Sequence, residues 1–536
     1  MATGRVPDSP SMTAPTDLHL GSFSDDAPWI VDPAAMGWRR AVPGLRRQIA
    51  VDLPNLIRPS KVPPGMRVVR TARLLGTALG LWATGARRKG GSVSLADLSR
   101  RLRIAAEGLG PTYIKLGQIL SSGEGIFPPE LVGEFKKCRD QVPPEPFAAV
   151  RAVVEQDLGR PLEAVFQRFH PEPLAAASIA QVHLATLLTG EEVVVKVQRP
   201  SVGRLVHRDL RVMAWIAPYL VGRIPVSALA NPPALVELFA ETITEELDFR
   251  LEAENMLDVA QAYADLGQRD YVIPRPHPTL VTRRVLVMER LSGFKFDDVA
   301  GMRGAGVDTE KVVRTGMVGF IEGAMIHGIF HGDLHGGNLF VMADGRTALL
   351  DFGIVGRLSE PRRLAFLRLL MSATANDLYG QLEALRDLGA LPMDTDLKAV
   401  VHDLGLDRPP IDPTTLSADQ LVHEIQRTIK ALLGIGARLP KELMLFVKNL
   451  VFLDGAIATL APDLDIIGEI GEVSMRFATI HGERLAADLG FDTSAFEVDL
   501  SAMKAGLGFD EDTKATYKEL QDRRQLISSR LQKRGR

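Results

Sequence analysis

The spacing of apolar and polar positions changes along this chain of 536 residues and divides it into five segments. Residues 1–65 show no sustained apolar period. The first 35 are rich in Pro, Ser, Asp and Ala, which predicts a disordered tail followed by a poorly ordered arm. From residue 66 to about residue 155, apolar residues recur at helical spacing, which predicts a helical N-terminal extension.

Residues 156–291 have a mixed pattern that predicts a small lobe of strands and helix. A Thr189-Gly190 turn precedes the β-branched run Val193–Val197, and a second β-rich stretch covers residues 281–291. Between them, residues 232–266 are amphipathic and predict one long helical region.

Residues 292–480 are mainly helical in pattern, with one interruption. A helical stretch from about residue 309 to 328 is followed by a polar loop at 331–338. Apolar runs at 339–342 and 347–350 then flank Asp344-Gly345, a strong signal for a β-hairpin. We expect a large helical lobe and, over residues 481–536, a charged helical tail.

Composition limits the kind of protein and its environment. Hydrophobic residues make up 46% of the chain and the formal net charge is −3, so nothing in the overall charge favours nucleic acid as a partner. The only cysteine is Cys138, which excludes an intrachain disulfide and a thiolate zinc site. With no recognisable signal peptide, we expect a cytoplasmic protein.

The segment Leu74–Thr84 has two interpretations that the sequence leaves open. It is apolar, too short to span a bilayer, and flanked by several Arg and Lys residues. Such a helix can lie on an anionic membrane as an interfacial anchor. It can equally be an ordinary buried helix with solvated basic ends. A peripheral position at the inner face of the membrane is therefore one expectation for this protein.

The candidate chemistry is concentrated in His331–Asn338 and Asp351-Phe352-Gly353. An Asp precedes an Asn by five positions, and a second Asp follows thirteen positions later. Phosphoryl transfer requires a carboxylate near the nucleophile and oxygen ligands for Mg²⁺. We therefore assign Asp333 as the group that orients or deprotonates the nucleophile, and Asn338 and Asp351 as metal ligands. His331 is expected to be structural.

The order of further motifs resembles the UbiB/AarF-domain atypical kinases, over roughly residues 104–463. The motifs are, in chain order, Lys115-Leu116-Gly117-Gln118, the Ala-rich stretch Ala175–His183, the strand lysine in Val195–Pro200, the helix with Glu246, Asp248, Glu252 and Asn255, and the two loops above. The resemblance implies an α+β, two-lobed protein-kinase-like fold with a helical N-terminal extension carrying the K-x-G-Q motif and a large helical C-lobe.

That resemblance also implies roles for individual residues. Lys196 is expected to contact the nucleotide phosphates and to pair with a helix carboxylate. Glu246 and Glu252 both qualify as that partner, and we favour Glu252. Lys115 and Gln118 would then form a regulatory lid, with Glu246 and Asp248 facing Lys115.

The nucleotide-binding residues follow from the same resemblance. They are expected in the Ala-rich loop and in a hinge strand: Ala176, Ala177, Ser178, Lys196, Met288, Glu289 and Leu291. No Gly-rich phosphate loop is present. Alanine resists positive φ, so we expect a stiffer loop with altered phosphate contacts.

These features predict an atypical kinase or ATPase that uses ATP or ADP with Mg²⁺. The chain has no long segment after Asp351-Phe352-Gly353 and no A-P-E motif, where kinases build their peptide platform. Protein substrates are therefore disfavoured, and the family resemblance implies a lipid or polyprenyl substrate linked to quinone metabolism instead. A small-molecule phosphotransferase and a nucleotide-switched scaffold are the alternatives. Leu334 and Gly336 depart from the family's proline-containing loop, and terminal transmembrane helices of quinone-associated members are not recognisable.

Overall fold

A computed structural model describes most of the chain. The described residues are 17–121, 127–138, 143–221, 232–374, 377–404, 437, 440–489, 504 and 514–522. Within them the predicted α+β architecture with two lobes and a helical N-terminal extension is present.

The N-lobe is built on an antiparallel sheet of six strands: β1 (Phe166–Phe169), β2 (Ala175–Ala176), β3 (Ala180–Leu187), β4 (Glu192–Gln198), β6 (Pro276–Val281) and β7 (Val285–Glu289). They pair in the order β1-β3-β4-β7-β6, with β2 paired to β3. Alternation along β4 directs Val193, Val195 and Val197 into a core on one face of the sheet. The intervening Lys196 therefore points to the opposite face.

Helix α6 (Phe147–Leu158) packs its valines on the Val193 face of this sheet. The opposite face meets α9 (Phe249–Asp265). The predicted single helical region over 232–266 is two helices, because α8 (Pro232–Glu246) ends before Asp248. Asp248 has extended backbone geometry and its side chain accepts a hydrogen bond from Arg250 N, so it caps the start of α9. Helix α7 (Val202–Leu220) links β4 to α8.

The C-lobe is helical around short strands, and the hairpin predicted at Asp344-Gly345 is present. Its strands pair with Leu339 opposite Leu349. The strands are β5 (Tyr271–Val272), β8 (Phe294–Lys295), β9 (Ile329–His331), β10 (Leu339–Val341), β11 (Thr347–Leu349) and β12 (Val355–Arg357). The helices are α10 (Val299–Gly304), α11 (Thr309–Glu322), α12 (Glu360–Thr374), α13 (Leu378–Asp387), α14 (Leu397–Leu404), α15 (Lys441–Leu460) and α16 (Ile466–Leu489).

The N-terminal extension consists of helices that pack on one another and on α7. They are α1 (Val42–Leu56), α2 (Arg67–Thr84), α3 (Gly91–Leu109), α4 (Pro111–Ser121) and α5 (Pro129–Phe135). Gly117 allows α4 to approach α5 closely, because a Cβ there would lie 2.6 Å from Phe135 Cδ1. In α2, the Leu74–Thr84 stretch packs Ala78 and Trp82 into the core and leaves Leu81 exposed.

The predicted disorder of the tail and arm is wrong for residues 17–57. Arg275 and Asp17 are fully buried and joined by an ion pair of 2.9 Å. Ser22 accepts a backbone hydrogen bond from Ile273, and the following residues form α1. The apolar anchors Phe23, Val31 and Met36 are too widely spaced to give a periodic signal, yet each is buried. We call residues 17–36 the N-terminal strap.

Helix α15 is long and apolar enough to cross a membrane, which the sequence interpretation missed. Of its most apolar window, 44% is buried inside the protein. Phe446 stacks on Phe320 and meets Phe366 edge-on in the C-lobe core, so core packing accounts for part of its apolar character.

We predict that Asp17→Asn lowers the free energy of unfolding by about 3 kcal/mol, because breaking a buried ion pair leaves Arg275 undercompensated. Urea denaturation monitored by circular dichroism measures the change. The matched control is Asp25→Asn, whose exposed carboxylate pairs with Arg346 at 2.9 Å. This control should change stability by less than about 1 kcal/mol. Equal effects of the two substitutions would contradict the strap's role.

Candidate active site

The lysine on β4 lies at the centre of a buried charge cluster between the lobes. Lys196 Nζ is 2.7 Å from Glu252 Oε1 and 3.0 Å from Asp351 Oδ1. It also lies over the Phe249 ring, 5.5 Å from its centroid. Of the two candidate partners, Glu252 is thus the one that contacts Lys196. The cluster joins β4, α9 and the loop after β11, and so it connects both lobes.

Each charge in this cluster depends on the others. Burial disfavours the charged form of Lys196, but Asp351 and Glu252 together raise its pKa. Burial likewise opposes ionisation of Asp351, yet the lysines beside it hold its pKa below the ordinary value. For Glu252, burial outweighs the charge of Lys196 and raises its pKa to about 7. Asp351 is therefore the more strongly ionised partner of the two carboxylates.

His331 holds the loop 331–338 against the turn at Asp351. Its Nδ1 accepts a hydrogen bond from Asp333 N at 3.1 Å, and its Nε2 lies 2.9 Å from the Asp351 carbonyl oxygen. Because the carbonyl can only accept, Nε2 carries the proton and the ring is neutral. The ring also meets Phe352 edge-on. This arrangement agrees with a structural His331.

The residues expected to hold a cation lie in the two segments that His331 joins. Asn338 donates its amide N–H to the Asp333 carbonyl at 3.1 Å, which leaves its Oδ1 available. Asp351 has φ of +49°, an unusual value for a residue with a side chain, and its Oδ1 accepts from Gly353 N at 3.1 Å. Glu246 Oε1 is buried without a hydrogen-bond partner. These donors suit a Mg²⁺ ion whose remaining ligands are phosphate oxygens.

Zinc is not suggested by the histidines of the loop. His335 Nδ1 accepts a hydrogen bond from Gly337 N at 3.1 Å. Among the described residues, no group of three or more His, Cys, Asp or Glu side chains is placed to hold a metal.

Lys448 and Asn449 of α15 are functional candidates that the sequence interpretation missed. Lys448 Nζ contacts Asp333 Oδ1. Asn449 is fully buried, accepts from Leu334 N at 3.1 Å, and donates to the His331 carbonyl. Burial raises the pKa of Asp333, but Lys448 and Lys115 more than offset this and hold it below its ordinary value. A lysine followed by an asparagine inside an apolar helix was the available signal.

The K-x-G-Q helix contributes a second lysine to the cleft. Lys115 Nζ is 3.0 Å from Glu246 Oε2, and Asp333 and Asp351 are close enough to raise its pKa. Gln118 lies one turn further along α4 and is half-buried. Asp248 does not face Lys115 as expected. It caps α9 and pairs with Arg250 at 2.7 Å, because the break after α8 turns its side chain away.

The Ala-rich loop is a tight hairpin between β2 and β3. Ala176 pairs with Gln181, and the Ala177 N–H bonds to the Ala180 carbonyl at 2.9 Å. Arg199 donates to the Ala177 carbonyl at 2.9 Å, and Ser178 is buried. These bonds restrain the loop, and the bond to Ala180 occupies the Ala177 N–H, which is the kind of donor that a Gly-rich loop offers to phosphate.

The residues predicted to form a nucleotide-binding hinge, in and after β7, do not all face the same side of the sheet. Met288 is half-buried, packs on the core that includes α9, and shares the Lys196 face of the sheet. Leu291 is also half-buried. The Glu289 side chain points elsewhere and pairs with Arg275 at 3.1 Å beside the N-terminal strap. The alternation of side chains along β7 gives the reason, so a contact of Glu289 with a nucleotide would have to use its backbone.

The chain leaves the site directly after the Asp351 turn. Strand β12 pairs with β9, and α12 begins at Glu360. Arg357 anchors this short connection by donating to Asn255 at 2.8 Å and to Asp258 at 2.6 Å. No long surface loop follows β12.

The geometry is that of a protein-kinase cleft, and comparisons with known proteins agree. The model of the ABC1 atypical kinase-like domain matches residues 137–385. The chain is 38% identical over 360 residues to the uncharacterized protein Rv0647c of Mycobacterium tuberculosis, covering 66% of this chain and 73% of that one. It is also 32% identical over 376 residues to the probable protein kinase UbiB of Vibrio vulnificus, covering 69% and 68%.

The chain belongs to the ABC1/UbiB family of atypical kinase-like proteins. An aarF domain-containing protein kinase of Arabidopsis thaliana chloroplasts is 34% identical over 68% of this chain and 72% of that protein. Among solved structures, an Rv3197–erythromycin complex from Mycobacterium tuberculosis matches 65% of this chain and 91% of its own, at 23% identity and a TM-score of 0.38.

We predict that His331 makes stability depend on pH. Burial lowers its pKa, so below about pH 6.5, the ordinary value for histidine, the unfolded chain binds a proton that the folded chain does not. The unfolding free energy should therefore fall as pH falls, by at most about 1.4 kcal/mol per pH unit from this residue.

The His331→Gln variant should show a smaller slope than the wild type between pH 7.5 and 5. Urea denaturation at several pH values measures both slopes, and each protein serves as its own reference at pH 7.5. An unchanged slope would contradict the assignment of a neutral, buried imidazole.

Proposed function

We propose that this protein is an atypical kinase or ATPase that binds a magnesium nucleotide between its lobes and serves isoprenoid-lipid or quinone metabolism. The convergence of Lys196, Asp333, Asn338 and Asp351 in one cleft carries this proposal. The family membership supports a phosphotransferase-like class, and UbiB-named relatives support the metabolic setting.

The nucleotide is proposed to lie beneath β3 and β4. Lys196, fixed by Glu252, would contact its phosphates as a positive charge. Met288 and Leu291 would border the base, with Ala176, Ala177 and Ser178 above the phosphates. Asp351 and Asn338 would hold the Mg²⁺, which neutralises charge on the phosphoryl group when bound. Glu246 Oε1, buried and unpartnered, is a further oxygen at this end of the cleft.

Asp333 is proposed to orient the attacking hydroxyl or water and to accept its proton. Such a base contributes about 10²–10⁴-fold in rate. Lys448 would position Asp333 and keep it ionised. In this role Lys448 acts through Asp333, whereas Lys196 acts on the phosphates.

Two features support a non-protein acceptor. Lys115 on α4 is bound to Glu246 inside the cleft, so the K-x-G-Q helix is proposed to be a lid over the place where a peptide would lie. The connection from β12 to α12 is short and offers no peptide platform. Peripheral contact with the inner face of a membrane, through α2, is part of the proposal.

Nucleotide binding is tested first by thermal stabilisation. We expect ATP or ADP with Mg²⁺ to raise the Tm of the wild type, since a ligand that binds only the folded state stabilises it by mass action. Asp351→Asn should abolish the Mg²⁺-dependent part of that rise. Asp344→Asn, in the exposed hairpin turn, is the matched control and should respond like the wild type. If neither nucleotide raises the wild-type Tm, the proposed function is wrong.

The role of Lys448 is tested by the pH dependence of ATP turnover. Removing the opposite charge in Lys448→Met should raise the pKa of Asp333, because a neighbouring cation favours the ionised carboxylate. Because Asp333 must be ionised to act, the acid limb of kcat/KM should move to higher pH by the same amount. Lys448→Arg keeps the charge and should leave the limb near its wild-type position. A uniform loss of rate without movement of the limb would indicate a purely structural lysine.

A further inference from the structure

Three arginines and a histidine lie beside two adjoining cavities of the N-lobe, away from the proposed nucleotide cleft. On α7, Arg204, His207 and Arg211 follow one another at spacings of three and four residues, which places them on one helix face. Arg283, in the turn between β6 and β7, joins them around two adjoining cavities. Arg204, Arg211 and Arg283 are exposed.

These three arginines differ from most others in the protein. Within the part of the chain that the structure describes, none of them has a carboxylate partner within ion-pair distance, whereas the nearby Arg250 and Arg284 are paired with Asp248 and Asp157. Partial burial, together with the charges of Arg283 and Arg211, lowers the pKa of His207. The site therefore has an excess of positive charge that a bound anion would relieve.

The opposite wall of this site is apolar. Helix α1 presents Leu45, Ile49, Leu53 and Leu56 at helical spacing, and all four are only half-buried. They line a cavity of about 540 Å³, which adjoins a second of about 440 Å³ through His207 and Arg283. The acidic Asp52 also lines the larger cavity and is bonded to Gln48 at 2.8 Å. This size is typical of a small-molecule site. We call these two cavities the α1–α7 groove.

We propose that the α1–α7 groove binds an anionic amphiphile, with a phosphate group on Arg204, Arg211 and Arg283 and a hydrocarbon chain along α1. Arginine guanidinium groups suit phosphate oxygens because they donate paired hydrogen bonds in a fixed geometry. The apolar wall accounts for the chain, since half-exposed Leu and Ile side chains gain from being covered. The site is separate from the proposed nucleotide site and does not depend on it.

Binding to the full chain is measured by isothermal titration with dihexanoyl phosphatidic acid below its micelle concentration. Two controls separate the parts of the ligand: dihexanoyl phosphatidylcholine keeps the chains without the net charge, and inorganic phosphate keeps the charge without the chains. We expect phosphatidic acid to bind at least about tenfold more tightly than either control. Equal binding of phosphate alone would reduce the site to a free-anion site and overturn the proposal. A hexaglutamate peptide that binds as well as phosphatidic acid would also overturn it.

Substitutions then locate the ligand. Arg211→Gln and Arg283→Gln should each weaken phosphatidic acid binding by about tenfold, because each removes a charged hydrogen bond. Arg208→Gln is the matched control, since Arg208 is exposed on the same helix but does not line the groove. It should bind like the wild type.

The apolar wall has its own pair of variants. Ile49→Ser should weaken binding of phosphatidic acid but leave the weak response to inorganic phosphate unchanged. Val51→Ser, at a position 65% exposed and outside the groove, should have no effect. An unchanged Tm in each variant shows that folding is intact. Equal affinities for Ile49→Ser and Val51→Ser would exclude a hydrocarbon chain along α1.

Discussion

The buried ion pair between Lys196 and Glu252 is the contact on which the rest of the site depends. A lysine so deeply buried remains charged only if carboxylates compensate it, and here Glu252 and Asp351 share that task. The two carboxylates come from different lobes. Removing Lys196 would leave Glu252 buried without its opposite charge, and removing either carboxylate would leave Lys196 with a single partner, so the position of α9 against β4 and the conformation of the Asp351 turn are linked.

Contacts with the C-lobe and with the segment before the N-lobe hold helix α9 in place. Asp248 caps its start, and Asn255 on its buried face donates to the Phe352 carbonyl at 2.9 Å. On its outer side, Arg39 pairs with Glu254 at 2.8 Å, and the N-terminal strap bonds to the Ala260 carbonyl. The strap also buries Arg275 between Asp17 and Glu289. The segment before the N-lobe is therefore part of the framework that positions the Lys196–Glu252 pair.

Structural features that depend on local sequence patterns were mostly predicted correctly. The β-branched run Val193–Val197 indicated the strand that carries Lys196, and Asp-Gly indicated the hairpin that leads to Asp351. Features that depend on distant contacts were not predictable. The strap has no periodicity, although its anchors Phe23, Val31 and Met36 all join one buried core. Glu289 was assigned to the cleft by its motif position, whereas the pleat of β7 directs it towards Arg275.

Lys448 illustrates the same limit and shows why α15 is more than a core helix. Composition alone makes α15 comparable to a membrane span, and its apolar residues do fill the C-lobe. A lysine and an asparagine in such a helix are costly to bury unless they find partners. Both find partners in the loop 331–338: Lys448 contacts Asp333, and Asn449 bonds to His331 and Leu334. Gly332 leaves no room for a larger residue in this loop, because a Cβ there would lie 2.8 Å from Ile354 Cγ2. Lys448 supplies the largest opposite charge beside Asp333, ahead of Lys115 on α4. The charge that keeps Asp333 ionised therefore comes mainly from helices outside the loop, and α15 brings the largest part of it.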